Sequence, residues 1–135
     1  MKNSHNIYLI SDSTGETLDR IFLALKAQFE NFNYKINQFS FTRTETQIKK
    51  IIENAEKNKN SIILYTIVNN KLAKFLNDES KKKKIPCFGV LGQLILNFSK
   101  ILNQKASHEP SGQHILNKEY YDRIEAIQFT MNHDD

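Results

Sequence analysis

The sequence predicts an α/β fold, a doubly wound, mostly parallel sheet of about four strands in a layer between helices. Runs of apolar or β-branched residues, typical of buried strands, occur four times along the chain. Each run is followed by a stretch whose apolar residues recur every three or four positions, as on one face of a helix. Strands that alternate with helices in this way are typical of parallel sheets with helices on both faces.

The first two strand–helix units follow this pattern. Ile7–Ile10 is apolar without alternation, which predicts a buried strand. Tyr34–Thr42 alternates imperfectly and predicts a second strand, after which Thr44 and Gln47 fit a capping box at the start of a helix. The predicted apolar helix faces are Leu18, Ile21, Phe22, Leu25 and Phe29 in the first unit, and Ile48, Ile51, Ile52 and Ala55 in the second.

The third and fourth units complete the predicted sheet. Ser61–Val68 is rich in β-branched residues and gives the strongest strand prediction in the chain. A short helix is predicted from about Asn70 to Asn77, and a fourth strand at Ile85–Val90. The apolar face of the next helix is predicted to be Leu91, Leu94, Ile95, Phe98 and Leu102.

The last part of the chain has a different composition. Residues 1–105 are assigned to the α/β domain, and residues 103–117 are polar and contain a proline and a glycine, as in a loop. Helical spacing returns after Lys118, at Tyr121, Ile124, Ile127, Gln128 and Met131. We expect residues 106–135 to be a loop and a helix that lead toward a further, nucleotide-binding half of a longer protein.

Composition narrows the class of protein. The 135 residues, 39% hydrophobic and 25% charged, suit one globular domain. The sequence shows no membrane span or signal peptide, and its single cysteine, Cys87, fits a reducing compartment, so we expect a cytoplasmic protein without membrane contact and a buried, structural thiol. Much of the net charge of +4 lies in Lys81–Lys84, which lacks interleaved aromatic residues. We interpret this run as a solvated helix end and expect no nucleic-acid binding.

The turn after the first strand is the main candidate site. Hydroxyl residues and a glycine between a strand and a helix suit an anion, because the helix start offers unpaired N–H groups and the positive end of its dipole. The alternative is that Ser13 or Thr14 only caps the helix. Arg43, just past the second strand, could pair with a phosphate. The predicted phosphate- or substrate-binding residues are Ser11, Ser13, Thr14, Gly15, Thr17 and Arg43.

Asp12 is the candidate catalytic residue. Its carboxylate would repel an anion, but it could act as a base, orient a hydroxyl or hold Mg²⁺. An Asx-turn that shapes the loop is the alternative. No metal site is predicted, because the histidines lack metal-ligand spacing with one another or with Cys87. The chain also lacks both standard glycine-rich nucleotide loops.

Ser11–Thr17 is similar to the flavodoxin phosphate loop, which follows the first strand and holds the phosphate of flavin mononucleotide. The predicted three-layer fold is accordingly Rossmann-like or flavodoxin-like. This resemblance implies a flavin-binding electron carrier. Flavodoxins, however, place aromatic residues on glycine-rich loops around the flavin, whereas Thr66–Asn70 is neither aromatic nor glycine-rich. The electron carrier is therefore the alternative.

A second resemblance extends over the whole chain. The opening strand and turn resemble those of the pyruvate, phosphate dikinase regulatory proteins, also called phosphoenolpyruvate synthase regulators. Several further motifs match that family in the right order, which is harder to meet by chance than one loop. The matching stretches are Ile7–Thr17, Ile62–Val68, Ile85–Cys87, Leu91–Leu94, Gly112–Asn117, Tyr120–Ile127 and His133–Asp135.

This resemblance implies a bifunctional enzyme. Its kinase activity uses ADP to phosphorylate a threonine of the dikinase or synthase, and its phosphorylase activity uses inorganic phosphate to release that group as pyrophosphate. The family's variant P-loop has no match in residues 1–135, so we expect this chain alone to be inactive and to bind neither substrate. The resemblance also suggests that His114, His133 and Asp134 line a cleft. The choice of target enzyme and a homodimer stay open.

Overall fold

The structure is a computed structural model and describes residues 4–109. Strand and helix alternate along this part of the chain, as the sequence predicts. The strands are β1 (His5–Ser11), β2 (Tyr34–Phe39), β3 (Ser61–Thr66) and β4 (Cys87–Gly89). The helices are α1 (Glu16–Lys26), α2 (Glu45–Lys57), α3 (Asn70–Lys82) and α4 (Gly92–Leu102).

The four strands form one sheet in the order β2-β1-β3-β4, and every pair is parallel. In the register, Ile7 of β1 lies opposite Ile36 of β2 on one side and Ile62 of β3 on the other. The chain moves from β1 toward one edge and from β3 toward the other. The carboxyl ends of β1 and β3 therefore form the switch point, where sheets of this kind bind ligands.

Side chains of the central strands alternate between two cores. Tyr8 and Ile10 face α2 and α3, whereas Ile7 and Leu9 face α1. These two cores place helices on both faces of the sheet, which confirms the predicted three-layer α/β fold. The first core contains Tyr8, Ile10, Ile48, Ile51, Ile52, Ala55, Ile63, Tyr65, Ile67, Leu72, Leu76 and Ile85, and the second contains Ile7, Leu9, Leu18, Phe22 and Leu64.

Several predicted boundaries are wrong by a few residues. Strand β2 ends at Phe39 rather than Thr42, and Phe41 beyond it adopts a positive φ of 52°, which extended pairing does not allow. Strands β3 and β4 are likewise shorter than predicted. Helix α3 continues past Asn77 to Lys82, because Leu76 and Ser80 extend its buried face.

The lysine run ends α3, as predicted, and its side chains are exposed. Lys82 pairs with Glu79 at 3.1 Å and Lys83 with Glu56 at 3.5 Å. Ion pairs at such exposed positions contribute little to stability. The run is a solvated helix end in this structure.

Helices α1 and α4 pack less completely than their spacing suggests. Helix α1 ends at Lys26, so Phe29 falls outside it and is exposed. Helix α4 is confirmed as a helix, but it buries none of its residues within the described part of the chain. No helix in residues 4–109 is long and apolar enough to cross a membrane. The helix predicted after Lys118 lies outside the described residues, and the domain division at residue 105 stays a prediction.

Candidate functional site

The loop after β1 is polar and deeply buried. Ser11, Asp12 and Ser13 are 2%, 4% and 6% exposed. Buried serine and aspartate side chains need hydrogen-bond partners, because leaving such a group without one costs about 1–3 kcal/mol. The hydrogen-bond partners of these three residues therefore show which parts of the structure the loop holds together.

Backbone hydrogen bonds hold the loop from both neighbouring strands. The N–H groups of Phe41 and Thr42, after β2, donate to the carbonyls of Ser13 and Ser11 at 2.9 and 2.8 Å. The Asp12 N–H donates to the carbonyl of Thr66, at the end of β3, at 3.2 Å. The loop is therefore fixed between the two loops that flank it at the carboxyl edge of the sheet.

The hydroxyls of the loop shape its own turn. Ser11 Oγ accepts a hydrogen bond from the Ser13 N–H at 3.0 Å, and the two serine Oγ atoms lie 3.4 Å apart. The Thr14 carbonyl accepts from Ser40 Oγ at 2.8 Å, while the Thr14 side chain is exposed. Ser11 and Ser13 thus support the turn, and Thr14 is the loop's exposed hydroxyl residue.

Neither Ser13 nor Thr14 is the N-cap of α1, although Thr14 Oγ1 accepts a hydrogen bond from the N–H of Glu16, the first helical residue, at 3.4 Å. The N-cap of α1 is Gly15, not Ser13 or Thr14, and no side chain makes a cap hydrogen bond there. Gly15 adopts a φ of 92°, in the left-handed region that residues with a Cβ enter at a cost. A substitution at Gly15 would therefore strain the backbone itself, whatever the loop binds.

Asp12 joins the two sides of the switch point. Its Oδ2 accepts a hydrogen bond from the N–H of Val68, after β3, at 2.9 Å. An Asx-turn would hold only its own loop, whereas this bond reaches a second one. Burial raises the pKa of Asp12 above its usual value, although the Val68 N–H and the positive charge of Arg43 lower that pKa in part. The carboxylate is thus a stronger base than an exposed one.

Arg43 is positioned beside Asp12. Its Nε donates to the Asp12 carbonyl at 2.8 Å, and its guanidinium lies 5.4 Å from the centre of the Phe41 ring. Gln47 of the capping box accepts from the Arg43 N–H at 2.7 Å and donates to the Phe41 carbonyl at 3.2 Å. The predicted capping box is confirmed, and the same glutamine holds the segment that carries Arg43.

These side chains meet in a cavity of about 260 Å³ at the carboxyl ends of β1 and β3. The structure brings the predicted residues Asp12 and Arg43 together there, and adds Lys71, which the sequence did not suggest. The other predicted loop residues, Ser11, Ser13, Thr14, Gly15 and Thr17, are not among its lining residues. The cavity is lined by Asp12, Arg43, Glu45, Asn69, Lys71 and Leu72.

Other features of the described residues are less suited to chemistry. A cavity of about 410 Å³ lies at the opposite, amino edge of the sheet, whereas α/β sheets bind ligands at the carboxyl edge. In residues 4–109, no three His, Cys, Asp or Glu side chains are grouped so that they could hold a metal ion. Burial raises the pKa of Cys87 to about 11, which fits a structural thiol. His114, His133 and Asp134 lie outside the described residues.

The chain is similar to proteins named for the regulation of a metabolic enzyme. It is 69% identical over all of its 135 residues to a pyruvate, phosphate dikinase regulatory protein of Pelagibacter ubique, covering 49% of that protein. Proteins of the same name from Brucella anthropi and Geotalea uraniireducens are 38% and 36% identical over 96% of this chain, which covers 47% and 48% of them. The chain thus spans about half the length of the curated relatives it matches.

A family model gives the same assignment. The model described as kinase/pyrophosphorylase matches residues 7–135, which include the loop after β1 and every strand and helix that follows it. Neither the relatives nor this match supports the flavodoxin alternative. Because the match covers almost the whole chain, the protein belongs to the kinase/pyrophosphorylase family.

Proposed function

We propose that this chain forms one half of a regulator of pyruvate, phosphate dikinase or of phosphoenolpyruvate synthase. The names of its relatives and the description of its family support this proposal. The whole regulator transfers a phosphoryl group from ADP to a threonine of its target, and uses inorganic phosphate to remove the group as pyrophosphate. Residues 1–135 contain no P-loop pattern, so the other half of the protein supplies the cradle for the nucleotide phosphates.

The observation that carries this proposal is the meeting of two carboxylates, Asp12 and Glu45, with two cations in the cavity at the switch point. Asp12, Arg43 and Lys71 line that cavity together. Phosphoryl transfer to a hydroxyl needs an acceptor for the hydroxyl proton and positive charge around the transferred group. We assign the first role to Asp12 and the second to Arg43 and Lys71.

Asp12 can serve both directions of the reaction. In the kinase direction its carboxylate takes the proton of the threonine hydroxyl as the threonine oxygen bonds to the β-phosphorus of ADP and the bond from that phosphorus to the AMP leaving group breaks. In the phosphorylase direction the protonated carboxyl returns that proton to the threonine oxygen as phosphate takes the phosphoryl group. A raised pKa suits both roles, because the group then exchanges protons nearer to neutral pH. The Val68 N–H fixes the direction of the carboxylate.

The remaining residues of the loop have supporting roles in this proposal. Ser11 and Ser13 shape the turn, and Gly15 allows its left-handed backbone. Thr14 and Thr17, at the start of α1, do not line this cavity, so their contact with a phosphate stays a prediction from the sequence. Thr14 directly precedes Gly15, the N-cap of α1, and is exposed, whereas Thr17 is the second residue of α1 and is half-buried.

The test uses the full-length regulator that contains this sequence. Asp12→Asn keeps an oxygen that can accept the Val68 N–H bond but removes the base, so we expect both rates to fall by about 10²–10⁴. Arg43→Gln should raise the KM for phosphate in the phosphorylase direction more than it lowers kcat. Phosphothreonine formation and pyrophosphate release measure the two activities.

Asp78→Asn is the matched control. Asp78 is an exposed carboxylate on α3 that pairs with Lys74 on the protein surface, away from the cavity. We expect its activities to equal those of the unmodified protein. An Asp12→Asn protein with unchanged rates in both directions would remove Asp12 from the mechanism.

A further inference from the structure

His108 contacts the loop that follows β3. Its Nδ1 lies 3.0 Å from the carbonyl oxygen of Val68, and its Nε2 lies 3.4 Å from Nδ2 of Asn70. His108 comes 40 positions after Val68, so these contacts join the segment beyond α4 to the carboxyl edge of the sheet. The histidine is not among the residues that line the cavity beside Asp12.

The two contacts determine where the imidazole ring carries its proton. A backbone carbonyl can only accept a hydrogen bond, so Nδ1 of His108 carries the proton and donates to Val68. In a neutral imidazole the other nitrogen is then an acceptor, and the side-chain amide of Asn70 donates to it at 3.4 Å. His108 therefore bonds to the loop at two points.

Val68 is held at both of its peptide groups. Its N–H donates to Asp12 Oδ2 at 2.9 Å, and its carbonyl accepts from His108 at 3.0 Å. The N–H belongs to the peptide group before the Cα of Val68, and the carbonyl belongs to the peptide group after it. The N–H can fix the direction of the Asp12 carboxylate only while Val68 keeps its own orientation. The bond from His108 opposes rotation of Val68 from the other side of its Cα.

The loop after β3 also lies between two cavities. Asn69 lines the cavity of about 260 Å³ that Asp12 lines. Val68 and Asn70 line a second cavity, of about 330 Å³, together with His108 and residues of α4. A shift of this loop toward the second cavity would draw the Val68 N–H away from the carboxylate. His108 lies on the side from which such a shift is opposed.

The backbone at His108 is held in an unusual conformation. Its φ is 56°, in the left-handed region that residues with a Cβ enter at a cost, and such conformations persist where the surrounding contacts hold them. The segment is also tied to α4, because the Gln104 N–H donates to the Ser99 carbonyl at 3.1 Å. The histidine therefore reaches Val68 from a segment that is itself anchored.

We propose that His108 is a positioning residue for Asp12 and acts through the two peptide groups of Val68. Its bonds are to the loop rather than to the carboxylate, and they keep the Val68 N–H aimed at Asp12 while the carboxyl group gains and loses its proton. This proposal rests on the proposed role of Asp12 in phosphoryl transfer. A misplaced carboxylate lowers the rate of the chemical step and leaves phosphate binding unchanged.

The test compares two substitutions that both suit the backbone of His108. Glycine adopts a positive φ without steric cost, and asparagine is enriched there. His108→Gly removes the donor to the Val68 carbonyl. His108→Asn keeps one, because the amide nitrogen of asparagine branches from Cγ as Nδ1 of histidine does. Both variants lack the ring, so a difference between them reports the hydrogen bond.

The first readout is amide hydrogen exchange at Val68. Val68 and Val90 are the two valines of the 135-residue chain, so labelling of the valine nitrogen gives two amide signals from it. The Val90 N–H donates to the Tyr65 carbonyl and serves as the reference. In His108→Gly we expect exchange at Val68 to be several-fold faster, because its bond to Asp12 opens more often. His108→Asn should restore the slower exchange, and Val90 should exchange equally in all three proteins.

The second readout is the activity of the full-length regulator that contains this sequence. His108→Gly should lower kcat about tenfold in both directions and leave the KM for phosphate unchanged, because a small displacement of a reacting group acts on the chemical step. His108→Asn should recover most of the lost rate. Gln104→Ala, an exposed side chain in the same segment, is the control and should match the unmodified protein in both readouts.

Unchanged exchange at Val68 in His108→Gly would overturn the proposal, because the histidine would then not hold the loop. A full kcat in His108→Gly beside a slow Asp12→Asn protein would overturn it too, since Asp12 would then work without this support. Equal losses of rate in His108→Gly and His108→Asn would show that the donor does not matter. If Asp12→Asn keeps both rates, the proposed function itself fails, and faster exchange at Val68 would then show a purely structural contact.

Discussion

The four helices fall into two pairs that are built differently. Helices α2 and α3 begin with side-chain caps, from Thr44 and Asn69. The apolar residues that they bury are Ile48, Ile51, Ile52 and Ala55 in α2, and Leu72 and Leu76 in α3. Helices α1 and α4 begin at Gly15 and Leu91 without a side-chain cap hydrogen bond, and α4 buries none of its residues within the described part of the chain. The sequence shows the same helical spacing in all four.

The difference shows that hydrophobic spacing predicts which face of a helix is apolar, but not what covers it. The apolar faces of α2 and α3 find their partners inside residues 4–109, in the core around Tyr8 and Ile63. The surfaces of α1 and α4 include large exposed apolar residues, Leu23 and Phe98 among them. The buried faces of α2 and α3 therefore contribute more to the stability of the domain than the exposed apolar residues of α1 and α4 do.

The largest expected effect is the difference in unfolding free energy between a substitution at a buried apolar residue of α2 and one at an exposed apolar residue of α1. Ile48 of α2 is fully buried, whereas Leu23 of α1 is 55% exposed. Ile48→Ala should lower the free energy of unfolding by about 2–5 kcal/mol, because it removes buried methyl groups and leaves a cavity. Leu23→Ala should change it by no more than about 0.5 kcal/mol. Urea unfolding followed by circular dichroism measures both, and equal losses would contradict the comparison.

A smaller effect is expected at the cap of α2. Thr44 Oγ1 accepts the Gln47 N–H at 3.1 Å, and Gln47 Oε1 accepts the Thr44 N–H at 3.0 Å. Thr44→Ala removes the first of these bonds and should lower the free energy of unfolding by about 1 kcal/mol. The control is Thr46→Ala, an exposed position in the same first turn. If both substitutions have the same small effect in urea unfolding, the capping box does not stabilise α2.

The order of strands and helices could be predicted from the sequence because β1 and β3 are buried on both faces and read as apolar runs. The capping box could be predicted for the same kind of reason, since it depends on four consecutive residues. Local patterns of this kind determine the elements. They also placed Asp12 and Arg43 at the carboxyl edge, where the structure has them.

The rest of the candidate site could not be predicted, because it depends on which loops meet. The bond from the Val68 N–H to Asp12 joins residues 56 positions apart, and Lys71 enters the cavity from the start of α3. Both depend on the placement of β3 beside β1, which no local pattern shows. The sequence did not predict Gly15 as the N-cap, because serine and threonine are commoner N-cap residues than glycine. Only the left-handed backbone of Gly15 shows which residue caps α1.

The smallest expected effect concerns the pH dependence of stability at Asp12, in the loop before the uncapped helix α1. Burial raises the pKa of this carboxyl in the folded protein above the ordinary value of 3.8. The folded state therefore holds the proton to higher pH than the unfolded state does. The stabilisation from this difference is fully present below pH 3.8 and is lost as pH rises through the raised pKa.

Asp12→Asn removes this titration while keeping an oxygen for the Val68 N–H. At low pH, where Asp12 is protonated, the variant and the unmodified chain should unfold at similar urea concentrations. As pH rises, the midpoint of the variant should move above that of the unmodified chain and then stay a constant distance above it, because only the unmodified chain must bury a charge. The exposed Asp78→Asn serves as control and should show no such divergence. If the urea midpoint of the unmodified chain instead rises above that of the variant as pH increases, the prediction is wrong. Arg43 and the Val68 N–H then stabilise the charge of Asp12 by more than burial destabilises it.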